Sequence, residues 1–487
     1  MSVKSVRRGG RGRKHVRERV QIGAADPSLT ATSGVAALAE FVDKLDVVAR
    51  FDRGIGAIKQ RARGVSAGQL LVALAQSQLL GADALVALDR QRRDVVATEL
   101  SAVPGLASTT AGSLARRFDT EQLAGIEAAT ADLVGRAFEL LPVARRARLS
   151  ARATVDLDST DVEVYGSRKQ GVAYNYAGQR AGRPHLATWA EAGITTAAEL
   201  LAGNDDVRPR AAAMLRRGLA GIPAQVRVAA AAADRLRVRA DAGYFTADLA
   251  HAAVEESCDF AIAAKRNTAM WRAHASVPDH QWVDAIGMPG AQIAAVDYAP
   301  AGWPADTYTI IRRVRVDAED ISADPRSRRR RTIDPDQLAL ALDGTATHAY
   351  AVSFIVTNIP THDHANNADL HSVVDVEAWF RRRTDIEDRI REAKLGAALR
   401  RLPSGRHAVN TVWMWAALLA GNLSTLLQAL TGIDEGGRAH AARLRHELLC
   451  IPARLIRHGR RLTLRLPPGD HLLPTVLTRI RELDPKA

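Results

Sequence analysis

Three acidic residues stand where the sequence predicts that a strand ends or that a helix crosses a sheet. Asp158 lies in VDLDST, Asp241 closes RVRAD, and Glu387 lies inside a predicted helix. Carboxylates at strand ends can meet at one edge of a sheet, but three of them repel each other unless cations neutralise them. Hard divalent ions such as Mg²⁺ take oxygen ligands, and two such ions can clamp the attacking and leaving oxygens of a phosphoryl transfer. The three acids therefore predict a two-metal site for phosphoryl transfer.

The predicted helix around Glu387 also carries two cations. Arg383, Glu387 and Lys394 are separated by four and then seven residues, so on a helix with about 100° per residue they project from one stripe. An acid flanked by Arg and Lys suits a phosphodiester lying along that stripe. The alternative is a solvated charged face with ordinary i,i+4 ion pairs, and the helix alone would favour it. Trp379 and Phe380 are interpreted as packing residues, with Phe380 also a candidate for the border of the site.

The spacing along this helix resembles a known signature. It runs aromatic (Phe380), two residues, Arg383, three residues, Glu387, six residues, Lys394. This resembles the Tyr-(2)-Arg-(3)-Glu-(6)-Lys signature of DDE transposases in the insertion-sequence 4 superfamily. Phe380 replaces the tyrosine, so no hydroxyl role is carried over to that position.

Three further stretches extend the resemblance. Asp158-Ser159-Thr160 resembles the Asp-x-Thr strand of the superfamily, and DLDSTDVEVYGSRKQGVAYNY most closely resembles the branch named after insertion sequence 1380. VRADAGYF around Asp241 resembles the second-Asp strand of that branch, and VTN at 356–358 resembles the strand before the Glu helix. The matches follow the family order between about 150 and 420.

The resemblance implies an α/β protein with an RNase H-like catalytic core. Asp158, Asp241 and Glu387 would hold two Mg²⁺ or Mn²⁺ ions, which serve cleavage at transposon ends and transfer of the freed 3′-OH into target DNA. Arg383 and Lys394 would hold phosphates near the cut. The implied partners are terminal inverted repeats, target DNA and a second copy of the chain on that DNA. A hairpin stage is compatible with the resemblance, and the sequence does not establish it.

The first acid has an alternative. Asp156 lies two residues before Asp158, so on a strand both side chains face the same side. The Asp-Ser-Thr match favours Asp158. Asp385 and Asp388 are neighbours of Glu387 but point away from its stripe.

Composition supports a polyanionic partner. The 487 residues include 67 Lys and Arg against 54 Asp and Glu, a net charge of +13, and such a balance favours nucleic acid. A general Arg-rich bias is the alternative source of this charge. The two cysteines form no CxxC pair, which fits a reducing cytoplasm, and the resemblance to DNA transposases implies a nucleoid-associated location there. The apolar stretch 412–430 contains polar residues and is interpreted as a buried helix, without any membrane partner.

The texture of the sequence sets the bounds of six regions, and the resemblance implies which of them form the RNase H-like core and bind DNA. They are a basic arm (1–30, with Arg11, Arg13 and Lys14 as candidate DNA contacts), a helical DNA-binding region (31–150), a first segment of the RNase H-like core (151–265), a β-rich insertion with an exposed arginine loop (266–348), a second core segment with one long helix over 373–400 (349–430), and a helical C-terminal region (431–487). The His362 and His364 pair is interpreted as a solvated loop.

Three rival interpretations remain at this level. The first is an RNase H-like nuclease that hydrolyses DNA without strand transfer, against which the basic arm and long insertion argue. The second is a domesticated or inactive DNA-binding protein, against which the intact acid triad argues. The third is a basic protein unrelated to DNA, which the ordered set of motifs disfavours.

Overall fold

The computed structural model describes residues 20–60, 63–361 and 372–483. The candidate DNA contacts Arg11, Arg13 and Lys14, and the pair His362 and His364, lie outside these residues. The helices are α1 (Val35–Lys44), α2 (Val47–Ile55), α3 (Ala67–Leu79), α4 (Ala87–Gln91), α5 (Val95–Leu100), α6 (Ser108–Ala115), α7 (Thr120–Leu140), α8 (Val143–Ser150), α9 (Arg208–Ala220), α10 (Ala224–Ala232), α11 (Ala247–Glu255), α12 (Thr268–Ala275), α13 (Pro335–Leu342), α14 (Val373–Arg381), α15 (Thr384–Arg391), α16 (His407–Thr431), α17 (Ala441–Leu444) and α18 (Leu472–Glu482). The π-helical stretches Glu392–Gly396 and Arg445–Leu449 continue α15 and α17.

The strands form two sheets within the described residues. They are β1 (Leu29–Thr30), β2 (Ala153–Ser159), β3 (Val162–Glu163), β4 (Ala173–Tyr174), β5 (Arg180–Trp189), β6 (Ile194–Ala202), β7 (Leu236–Ala240), β8 (Asp259–Ala263), β9 (Val283–Asp284), β10 (Ala291–Val296), β11 (Tyr308–Asp317), β12 (His348–Thr357), β13 (Ala453–His458) and β14 (Arg461–Arg465). Eleven of them make one mixed sheet, and β1, β13 and β14 make a small one. The predicted α/β class is confirmed.

The order of the large sheet brings strand ends together. β2, β7 and β8 are parallel neighbours, β5 and β6 continue the sheet antiparallel beyond β2, and β12, β11 and β10 continue it antiparallel beyond β8. Parallel strands end on the same side of a sheet. The ends of β2, β7 and β8 therefore form one border, which we call the carboxyl edge.

The segment predicted as a β-rich insertion does not form a sheet of its own. Its strands β10 and β11 join the main sheet through β12, and it also contains α12 and α13. On its β12 side, the short strand β8 pairs only with residues Ile355–Thr357. Residues 348–353 of β12 and their partners in β11 consequently run past the carboxyl edge as a ribbon. At about 3.3 Å per residue, this ribbon extends about 20 Å.

The helix predicted over 373–400 is interrupted between α14 and α15. Arg239 on β7 donates a 2.6 Å hydrogen bond to the carbonyl of Trp379. In a continuous helix that carbonyl would accept from the amide of Arg383, four residues later. The amide of Arg383 bonds to the carbonyl of Phe380 instead, at 2.9 Å. A contact with a distant strand thus ends the helix at a point where the local sequence predicts that it continues.

AQVRVAAA at 224–231 forms helix α10, because alanine favours helix and Pro223 stands before its first residue. One further expectation was wrong. The C-terminal region 431–487 is not wholly helical, since it contains the hairpin β13–β14. β13 pairs with β1, so a short stretch of the predicted N-terminal arm is a strand of this small sheet.

The helices before residue 151 share one hydrophobic core with the sheet and with α16. Gln78 on α3 donates to the carbonyl of Trp413 on α16, at 3.2 Å. Among the described residues, α16 is the helix long and apolar enough to cross a membrane. Of its most apolar stretch of 18 residues, 94 % is buried inside the protein. It is therefore the core helix expected from the sequence.

Candidate active site

Asp158 lies next to the last residue of β2, at the carboxyl edge. Its side chain is 14 % exposed, and its Oδ2 lies 3.3 Å from Nη2 of Arg383. The backbone amide of Ser159 donates to its Oδ1 at 2.8 Å. Burial raises the pKa of Asp158 to about 6, and repulsion from Asp241 and Glu387 adds to this shift. The positive charge of Arg383 opposes it. Asp158 is thus the electrostatic centre of the site.

Asp241 follows β7 directly and caps a short 3₁₀ turn, Ala242–Tyr244. Its Oδ1 accepts from the amide of Gly243 at 2.8 Å, and its side chain is half-buried. The strand end fixes the backbone, and the capped turn fixes the side chain. Because β7 is the parallel neighbour of β2, Asp241 lies at the same edge as Asp158.

Glu387 reaches the site from α15, which packs through the buried residues Ile386 and Ile390. It is exposed, and its charge acts on the pKa of Asp158. The structure therefore brings Asp158, Asp241 and Glu387 into one neighbourhood, as the sequence predicted. Their catalytic roles stay a prediction.

Arg383 and Lys394 both reach the neighbourhood of Asp158 despite the interrupted helix. Arg383 is 12 % exposed, and its Nη2 donates to the carbonyl of Leu157 at 3.0 Å. Lys394 donates from Nζ to the carbonyl of Asp161 at 2.8 Å. Burial lowers the pKa of Lys394, while the charges of Asp161 and Asp158 oppose that shift. The two predicted phosphate ligands make protein contacts here and border the acids.

Asp156 has a structural role that separates it from Asp158. It is 1 % exposed and makes a two-pronged ion pair with Arg239, at 2.7 and 2.8 Å. Arg239 also contacts the carbonyl of Trp379 and lies 4.9 Å from the centre of its ring. Asp156 and Arg239 thus join the strands of the first two acids to the helix that leads to the third. The alternation of arginine in RVRAD on a buried strand was the sequence signal for this contact.

Tyr244 and His185 line the site beneath the acids, and the sequence prediction missed both. Tyr244 is fully buried, and its ring lies 5.5 Å from that of His185. Nδ1 of His185 lies 2.9 Å from Oε1 of Glu199. Burial and the charges of Asp158 and Asp241 raise the pKa of Tyr244 well above its usual value. Its hydroxyl consequently stays protonated beside the two carboxylates.

The donor set fits divalent cations of the Mg²⁺ class. Within the ranges 20–60, 63–361 and 372–483, no three Asp, Glu, His or Cys residues stand close enough to hold one ion as they are. The guanidinium of Arg383 faces Asp158 instead. Burial raises the pKa of Asp158, and repulsion from Asp241 and Glu387 adds to that shift, so cations bound here would lower it. The carboxylate oxygens are ligands that such hard ions prefer.

One protein family matches the chain over most of its length. The family described as "Transposase DDE domain group 1" matches residues 13–324 and 342–485. No curated protein sequence matches the chain. A cryo-EM structure of a piggyBac transposase synaptic complex with hairpin DNA matches with a TM-score of 0.40 and 8 % sequence identity. The match covers 85 % of this chain and 79 % of the piggyBac chain. A similarity of that size is too weak to support a conclusion.

Proposed function

The chain belongs to the family of DDE transposase domains of group 1, and we propose that it cuts DNA at the ends of a mobile element and joins the freed 3′-OH to target DNA. The supporting observation is the neighbourhood of two strand-end carboxylates, one helix glutamate and two cations at the carboxyl edge. We further propose that the element is an insertion sequence of the 1380 branch in a bacterial cell, so that the protein acts in the cytoplasm on the nucleoid.

Divalent ions held by Asp158, Asp241 and Glu387 would polarise the scissile phosphate and activate the attacking oxygen. The chain's own residues place the DNA. Arg383 can exchange its contact with Asp158 for a planar, two-pronged contact with a phosphate. Lys394 offers a point charge beside it. The hydroxyl of Tyr244 can donate a hydrogen bond to a carboxylate and orient it.

The RNase H-like interpretation of the core remains within this proposal. It is supported by parallel strands β2, β7 and β8, which carry two of the acids at their ends, and by a helix glutamate packed across them. We propose that the helices before residue 151, with Arg11, Arg13 and Lys14, bind the element's terminal repeats. We also propose that two copies of the chain pair the two ends.

The test uses DNA that carries the terminal inverted repeats of the element encoding the chain. The wild-type protein should cut at the element's end in Mg²⁺, and Asp241→Ala should bind the DNA without cutting it. Supplied with target DNA, the wild type should also form joined products. Cutting without joining would favour an RNase H-like nuclease. Tight binding without cutting by the wild type would favour an inactive DNA-binding protein, and the catalytic proposal would then be withdrawn.

The arginine loop beyond the carboxyl edge should add to DNA affinity. Arg326, Arg328 and Arg329 are exposed, and the loop packs on the ribbon through a bridge between Ile333 and Ala351. We expect the triple change of these arginines to serine to reduce the slope of log affinity against log salt by up to about 3, because each lost phosphate contact removes about 0.9. Filter binding over a series of salt concentrations measures this slope.

The matched control leaves the loop and changes exposed arginines elsewhere. Arg208, Arg216 and Arg443 are exposed and lie on α9 and α17, outside the ribbon. Serine at these three positions gives the same change in net charge. If both triple variants lower the slope equally, only net charge matters, and the loop makes no specific contact.

A further inference from the structure

Three exposed tyrosines lie close together in the chain beside the candidate active site. Tyr165, Tyr174 and Tyr176 are 89 %, 69 % and 96 % exposed. The chain has seven tyrosines, and the other four are buried or half-buried. Isolated apolar residues on a surface are ordinary, but three large rings within twelve residues indicate a binding surface.

The register of β5 places these rings beyond the carboxyl edge. Ser159, the last residue of β2, pairs with His185 of β5. Residues 180–184 of β5 therefore run past the edge, by about 17 Å at about 3.3 Å per residue. β3 and β4 pair with this extension. We call residues 162–184 the tyrosine ribbon.

The tyrosine ribbon is attached to the site through Asp161. The carbonyl of Asp161 accepts from Lys394 at 2.8 Å. Its carboxylate accepts from Arg183 and from Asn175, each at 2.8 Å. Asp161 is three residues after Asp158, so these bonds hold the ribbon next to the first acid.

The turn that carries Tyr176 is held in place. Asn175 is 8 % exposed, and its side-chain oxygen accepts from the amides of Ala177 and Gln179, at 3.0 and 2.9 Å. These bonds close the turn around Tyr176. Tyr174 stands opposite Arg180 in the hairpin. The rings are consequently presented on ordered backbone.

The charge of the ribbon fits a polyanion. The tyrosine ribbon contains four cations, Arg168, Lys169, Arg180 and Arg183, and one anion, Glu163, and the adjoining Asp161 adds a second anion. The carboxylate of Asp161 is already bound to Arg183. Nζ of Lys169 donates to the carbonyls of Leu402 and Ser404, which fixes the ribbon against the segment before α16. The surface thus combines exposed aromatic rings with excess positive charge.

We propose that the tyrosine ribbon stacks on unpaired bases of DNA next to the cut. Bases inside a duplex are covered by their neighbours, whereas unpaired bases expose faces on which aromatic side chains stack. Flat, exposed rings joined to a basic surface therefore select opened DNA over an intact helix. This inference rests on the proposed function and adds the state of the DNA that the site binds.

The test compares two triple variants without divalent metal. One changes Tyr165, Tyr174 and Tyr176 to leucine, and the other changes them to phenylalanine, which keeps the rings. The probes are a single-stranded DNA of about 20 nucleotides, containing 2-aminopurine, and the duplex of the same sequence. Stacking on one base changes affinity by about 5- to 150-fold. The leucine variant should bind single strands at least about tenfold more weakly and lose the quenching of 2-aminopurine.

The phenylalanine variant should bind single strands within about twofold of the wild type, and the leucine variant should bind the duplex within about twofold. Unchanged single-strand binding by the leucine variant would overturn the proposal, as would an equal loss on the duplex. Dissociation of a wild-type dimer by the leucine changes, without loss of DNA binding, would assign the rings to a second copy of the chain and also overturn it. The binding test involves no cleavage, so failure of the proposed function would be seen separately.

Discussion

Glu387→Gln is expected to keep DNA affinity within about twofold and to reduce cleavage in Mg²⁺ by a factor of about 10³ or more. The change removes one negative charge from the neighbourhood of Asp158 and keeps the size of the side chain. Ions at such a site supply several kcal/mol of transition-state stabilisation, and each ~1.36 kcal/mol corresponds to a tenfold change in rate. Glu387 is exposed on α15, so folding should be unaffected. Cleavage of end-labelled terminal-repeat DNA measures the rate.

The matched control is Asp388→Asn on the same helix. Asp388 pairs with Arg391 at 2.5 Å, and the charges that shift the pKa of Asp158 are those of Arg383, Asp241 and Glu387. The control should cleave within about threefold of the wild type, because losing an exposed ion pair costs little. Full cleavage by Glu387→Gln in Mg²⁺ would contradict the catalytic assignment. Equal loss in both variants would point to damage of α15 rather than to chemistry.

Arg239→Met is expected to lower the free energy of unfolding by about 3–5 kcal/mol, because it leaves the buried carboxylate of Asp156 without its partner. It also removes the hydrogen bond to the carbonyl of Trp379. The break between α14 and α15 depends on that bond, so cleavage should fall as well. Urea unfolding followed by circular dichroism measures the stability.

Two further variants define the cause. The double change Arg239→Met with Asp156→Leu should recover most of the lost stability, since replacing a buried ion pair by apolar residues is often neutral. Arg315→Met, an arginine paired with Asp317 on the exposed end of β11, should cost less than about 1 kcal/mol. If Arg239→Met costs no more than Arg315→Met, the buried pair does not hold the two strands and α14 together.

The cleavage of the double variant, Arg239→Met with Asp156→Leu, separates support from chemistry. This variant should fold stably and still cleave more slowly than the wild type, because the contact with Trp379 is absent. Addition of more Mg²⁺ should not restore cleavage, since the acids themselves are intact. Wild-type cleavage by the double variant would show that Arg239 acts on stability alone.

Much of the interpretation came from the order and spacing of residues within short stretches of the sequence. The spacing of Phe380, Arg383, Glu387 and Lys394, together with the strand around Asp158, indicated a DDE transposase, and the family match confirms that class. Strand ends were also predictable, because Asp158 lies at the end of β2 and Asp241 directly after β7, as the sequence predicts. These features depend on residues near one another in the chain, so one sequence contains them. The 1380 branch and the catalytic roles stay predictions.

Contacts between distant segments decided the rest. Asp156 and Asp158 lie two residues apart on one strand, so the strand pattern gives both the same face. Only the tertiary structure distinguishes them, because Asp156 pairs with Arg239 and Asp158 lies near Asp241. The interruption of the predicted long helix arises from a strand arginine 140 residues away from the carbonyl it binds. No periodicity in the helix itself records that bond.

The tyrosine ribbon and the ribbon formed by β11 and β12 show the same difference between what the sequence and what the tertiary structure determines. The sequence by itself determined the DDE transposase family, the order of the acids and the place of the arginine loop in the chain. Only the tertiary structure decided how far β5 and β12 run past the carboxyl edge, because that distance follows from their register against the shorter strands β2 and β8. Register is a relation between separate segments, fixed by shared burial and hydrogen bonding. The spacing within any one segment does not contain it.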